Sequence, residues 1–250
     1  MASHASWRSH ERYPKLLLAL LTVLSLALGV APYDRADWVL ENALLFAGVG
    51  VLVATRKALP LSRLSYTLVF VFMCLHAVGA HYTYSLVPYD AWSTHLLGGR
   101  TLNDLLHLGE RNYFDRLVHF CFGFLLAYPI RELFMRVAGA RGFWGYYLPL
   151  DLTMSFSMLY ELIEWAAAVG FGGELGVAYV GAQGDIWDAQ KDMALASLGA
   201  LLCMCVVAFI NWKFDRNFGA ELRDSLTPRD IGPLGETRLR DLMSGGGGAA

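Results

Sequence analysis

Six apolar runs, at about residues 15–32, 38–54, 64–84, 113–135, 149–169 and 192–212, limit what this chain can become. Each approaches the ~20 residues that a helix needs to cross ~30 Å of hydrocarbon. No water is available at that depth to satisfy backbone N–H and C=O groups, so self-bonded helices are the expected spanning form. Composition agrees, with 56% hydrophobic and only 17% charged residues and a mean hydropathy of +0.40. Such a balance belongs to integral membrane proteins rather than soluble domains. The expected fold is an all-α integral membrane protein, a six-transmembrane-helix bundle over residues 15–212. Polar segments at 1–14 and 213–250 read as disordered cytoplasmic ends. Four cysteines, Cys74, Cys121, Cys203 and Cys205, fall inside the apolar runs and read as small hydrophobes rather than disulfide partners.

The basic residues set the orientation. Fifteen of the 20 Lys and Arg precede the first run, fill the second and fourth connections, or follow the last run. Arg35, Arg100, Arg111, Arg116 and Lys191 are on the other side. The positive-inside rule then places both termini in the cytoplasm. Pro149 is expected to open the fifth helix, with Asp151 in its first turn. Pro129 is expected to kink or shorten the fourth. In the long outer connection, Tyr89 and Trp92 suit the headgroup level, and Thr101–Leu108 reads as a short surface helix.

Ionisable residues then collect near the outer helix ends. The stretch from Gly181 to Asp192, G-A-Q-G-D-I-W-D-A-Q-K-D, sets Asp185, Asp188 and Asp192 at the mouth of the last span. His76 and His81 come late in the third span. Asp115 and His119 are four apart on one helix face, and Glu161 and Glu164 are three apart on another. Acids at the rim of a span are costly unless they face a cavity or a partner. Local bases are fewer than these acids, so the remainder is expected to be protonated, hydrated or bound to a cation. Each residue also has a plain reading: His76 as a hydrogen-bonded core histidine, His81 as an interface residue, the Asp185–Asp192 acids as a helix-capping loop.

Several of these stretches resemble a known family. They are H-Y-T-Y at His81–Tyr84 with Val87-Pro88 after it, R-N-Y-F-D at Arg111–Asp115 followed by His119-Phe120, and Y-E-L-I-E-W at Tyr160–Trp165. To these add Q-G-D-I-W-D-A-Q-K-D at Gln183–Asp192 and A-P-Y-D-R-A-D-W at Ala31–Trp38. Together they resemble the bacterial inner-membrane proteins of the YjdF type, a domain of unknown function. The chain departs from that type by a longer outer connection around Leu102–Glu110 and by its extended tail. A looser pattern, Asp115 and His119 opening a helix with later acids, is similar to VanZ-like membrane proteins. The resemblance implies a multi-pass protein of the bacterial inner membrane and supplies no reaction.

Carboxylates with imidazole suit divalent ions such as Mg, Mn, Fe or Zn. The leading expectation is a metal-dependent hydrolase or transferase acting on lipid or envelope head groups at the outer face. Its metal ligands are drawn from His81, His119, Glu161, Asp185, Asp188 and Asp192, with Asp115 or Glu164 as general base. Membrane lipids and a lipid-linked or envelope substrate are the expected partners, and nucleic acid is not. Two other readings use the same residues: a proton- or cation-coupled transporter, and a structural membrane protein stapled by a metal.

Overall fold

A computed structural model describes residues 4–173, 182–228 and 234–245, and within these every regular element is a helix. In chain order they are α1 (His4–Gly29), α2 (Arg35–Thr55), α3 (Arg63–His81), α4 (Tyr89–Leu96), α5 (Leu102–Leu106) and α6 (Phe114–Val137). There follow α7 (Trp144–Phe171), α8 (Asp188–Phe214), α9 (Phe218–Leu226) and α10 (Leu234–Gly245). Among the described residues, five helices are long and apolar enough to cross a membrane: α1 from Glu11 onward, α2, α3, α6 and α8. α7 is 28 residues long but carries Asp151, Glu161 and Glu164, and it is not among the five.

The bundle is built around α6, α7 and α8, which pack on one another, with α3 against α6 and both α1 and α2 against α3. The α6–α8 contact is the closest. Any Cβ on Gly123 would overlap the Ala196 carbonyl, and any Cβ on Gly199 would overlap the Phe120 carbonyl. Small residues that let backbones touch are the usual means of holding membrane helices together, because lipid supplies no hydrophobic drive between them. Ala127, Ala200, Cys203 and Met204 continue this contact away from the outer end. Cys205, by contrast, is exposed.

Helix ends differ from the expectations where local partners intervene. α7 begins at Trp144 rather than Pro149, so Pro149 lies inside the helix and Asp151 is exposed beyond the first turn. The extra turn is anchored from the tail: Phe143 N–H donates to Ser225 Oγ at 2.9 Å, and Trp144 Nε1 to the Ser225 carbonyl at 2.9 Å. Ser225 belongs to α9, so this part of the tail is helical and docked. α1 likewise reaches back to His4. Pro129 does not end α6, which continues to Val137. The surface helix forms over Leu102–Leu106, with Thr101 Oγ1 accepting from Asp104 N–H at 2.9 Å as its cap.

Candidate acid–histidine centre

The starts of α2, α6 and α8 and the ends of α3 and α7 meet at one end of the bundle. Tyr33 N–H, between α1 and α2, donates to the His81 carbonyl at 2.9 Å, joining the first connection to the end of α3. Three helix N-termini therefore direct their positive dipole ends toward the same region, which favours carboxylates there.

Two arginines organise the outer layer. Arg116, 7% exposed, donates to Asp188 Oδ1 at 2.5 Å, to Asp185 Oδ2 at 3.1 Å and to the Asp188 carbonyl at 2.8 Å. It also pairs with Asp192 Oδ2. Arg111 donates to Asp188 Oδ1 at 2.5 Å and to the Ala182 carbonyl at 2.7 Å. Lys191 closes on Asp185 at 2.7 Å. The three acids at the mouth of α8 thus have cationic partners, where an excess of acid over base was expected. Asp185 and Asp188, both expected metal ligands, are engaged in ion pairs instead. The Lys191 ammonium and the Trp187 N–H hold the Asp185 carboxyl below its ordinary value. Its contribution to stability is therefore present above the usual aspartate pKa and is lost as pH falls through the depressed native one.

Beneath this layer lies a smaller group. His119 Nε2 stands 3.5 Å from Asp115 Oδ1 and 3.7 Å from Glu161 Oε1. One ligand atom each from Asp115, His119 and Asp192 fall within 4.8 Å of one another. The two separations exceed a good hydrogen bond. They are near the ~3.4 Å between neighbouring ligands placed tetrahedrally ~2.1 Å from a zinc-sized ion. Glu161 Oε1 and Asp192 Oδ1 are buried and accept no hydrogen bond among the described residues. Their residues are 9% and 2% exposed. Burying unbonded carboxylate oxygens is unfavourable, and a cation between them would satisfy both. Glu164 lies in electrostatic reach of Glu161, Asp115 and Asp192, so both expected bases border this group.

Both histidines of α3 bond to backbone carbonyls of neighbouring helices. His76 Nε2 faces the Glu41 carbonyl at 3.1 Å, an acceptor, so that nitrogen carries the proton. Its Nδ1 then accepts from the Tyr84 hydroxyl. His81, an expected ligand, bonds through Nδ1 to the Leu28 carbonyl at 2.7 Å and packs edge-on against Tyr82. The structure does not bring it to the His119 group.

The sequence reading passed over the contribution of α2. Asp37, Glu41 and Asn42 are 1%, 4% and 1% exposed and share one helix face. Glu41 Oε2 accepts from the Tyr160 hydroxyl at 2.8 Å, and the Tyr160 ring stands edge-on to His119. The available signal was three polar residues at i, i+4 and i+5 in an otherwise apolar run, a spacing that implies a single buried face.

Residues 13–213 match the family described as "Predicted membrane protein (DUF2238)". The Escherichia coli (strain K12) protein named "Inner membrane protein YjdF" is 34% identical over 200 residues, covering 80% of this chain and 90% of the relative. No solved structure matches. With most of its length matched in both comparisons, this multi-pass membrane protein belongs to the DUF2238 family.

Proposed function

We propose that the chain is a six-span, N-in/C-in protein of the bacterial inner membrane whose outer-face centre binds a divalent metal. The observation that carries this is the pair of buried, unbonded oxygens, Glu161 Oε1 and Asp192 Oδ1, beside His119. His119, Glu161, Asp192 and Asp115 are the proposed ligands. Asp115 moves here from base to ligand, because its Oδ1 points at the imidazole. A metal in this position would polarise a head-group oxygen and make the site a hydrolase or transferase of lipid or envelope head groups. Glu164, next to the ligands without being one, is the proposed general base. Arg116 acts by position, holding Asp192 Oδ2 so that Oδ1 is left for the ion.

The test is metal content and metal-dependent melting of the purified protein. Wild type is expected to carry a divalent ion and to melt higher with it. His119→Ala and Glu161→Gln should each weaken binding by roughly tenfold or more, as loss of an oriented ligand usually does. Asp151→Asn, exposed on α7 outside the centre, should bind as wild type does. Imidazole and carboxylate must be deprotonated to coordinate, so affinity should fall below about pH 5–6. A protein that holds no metal and gains no stability from Mg, Mn, Fe or Zn would remove this reading. The Tyr160–Glu41 and Tyr84–His76 bonds would then favour a proton relay, to be measured as ion flux in liposomes.

The orientation has its own test. A reporter active only outside the cytoplasm should work when fused after Asp34 or His95 and be silent after Ala58, Ala140 or Asp215. This follows from the distribution of basic residues. Activity after Ala58 or Ala140 would place the acid centre on the inner face.

A further inference from the structure

At the membrane face opposite the acid centre, the bundle holds a second feature that the metal reading does not use. α1 and α2 lie together at the outer end, where Gly29 abuts the Trp38 ring. Toward the other face they separate, and a groove of about 560 Å³ opens between them over α3. Leu18 and Leu21 of α1 form one wall, and Val49 and Val53 of α2 the other. Phe70 and Met73 of α3 form the floor. The deep end is closed by packing of Leu21, Leu45 and Met73. On the α1–α3 side, a Tyr13–Thr67 hydroxyl bond of 2.6 Å ties the wall to the floor.

The mouth is charged. Lys15, Arg56 and Lys57 line it, against Glu11 as the acid. All three cations are exposed, and none enters an ion pair among the described residues. The groove follows α1 from Pro14 to Leu21, seven residues or ~10 Å of rise. That is comparable with the ~15 Å half-thickness of the hydrocarbon core, so the slot reaches across much of one leaflet. An apolar slot of leaflet depth under a basic rim has the form that recognises an anionic lipid between helices.

We infer that this groove is a binding site for one anionic phospholipid. An acyl chain lies between α1 and α2, and the phosphate is held by Lys15, Arg56 and Lys57. The site is independent of the acid centre, and neither is needed for the other.

Native mass spectrometry after reconstitution in mixed phosphatidylglycerol and phosphatidylcholine tests it. Wild type should retain one phosphatidylglycerol per chain, favoured about tenfold or more over phosphatidylcholine, and should melt higher when that lipid is added. The triple variant Lys15→Ser, Arg56→Ser, Lys57→Ser should lose the preference. Because the three side chains are exposed, it should still fold. Leu18→Trp fills the slot from one wall and should reduce retention of both lipids. Swapping Arg56→Lys and Lys57→Arg should retain the preference. An unchanged preference in the triple variant would overturn the inference, as would full retention in Leu18→Trp. A lipid-free dimer closing the groove would do the same.

Discussion

Arg116→Ala is expected to cost about 3–5 kcal/mol of stability, the usual consequence of removing one member of a buried ion-pair network. The side chain is almost wholly buried and serves three carboxylates and a carbonyl across the α6–α8 boundary. Without it, Asp192 and much of Asp188 are left as charges in a partly apolar site, since the carboxylates Arg111 pairs with are Asp188 and Asp185 rather than Asp192. Lysine should not rescue the loss, because a single ammonium cannot present the guanidinium fork to several acceptors at once. Adding Asp192→Asn to Arg116→Ala should recover part of the stability, since the orphaned charge is then removed. Melting of the detergent-solubilised variants decides it. Wild-type melting of Arg116→Ala would mean that the acids are satisfied by other partners and that the network is incidental.

This network marks the limit of what sequence reasoning can reach. The all-α membrane class was legible because a ~20-residue apolar run has few alternatives in a bilayer, and five of the six expected spans are helices long and apolar enough to cross one among the described residues. Their ends were less so: α7 starts early because Phe143 and Trp144 bond to Ser225, about eighty residues away. The pairs Asp115–His119 and Glu161–Glu164 were legible from helical spacing alone. The Arg111 and Arg116 pairings were not, since they join positions 69 to 77 residues apart. Counting bases against acids missed that two guanidiniums can neutralise three acids with lysine's help. His81 bonds to the Leu28 carbonyl of α1, a contact across 53 residues that helical spacing cannot show. The α2 acids stand in the sequence as polar breaks in an otherwise apolar stretch. Only packing that brings Tyr160 onto Glu41 connects them to His119.

Gly199→Val should destabilise the bundle by about 3 kcal/mol or more, at or beyond the upper end for overpacking a core. The added Cβ would meet the Phe120 carbonyl and the Phe124 backbone nitrogen, neither of which can rotate away. Relief requires α6 and α8 to move apart along their whole contact. Gly123→Val should act in the same way against the Ala196 carbonyl. Because both changes force one separation, the double variant should lose clearly less than the two losses added together. The same displacement reaches the acid centre. Asp115 and His119 are on α6 and Asp192 is on α8, so parting the helices widens the group that the proposed ion must bridge. Gly199→Val is seven residues, ~10 Å, from Asp192 and touches no ligand. It should nevertheless weaken metal binding along with melting temperature, whereas Gly50→Val, with open space around it on α2, should change neither. If Gly199→Val melts and binds as wild type does, the helices are not in backbone contact. The geometry assigned to the His119 group would then fall with it.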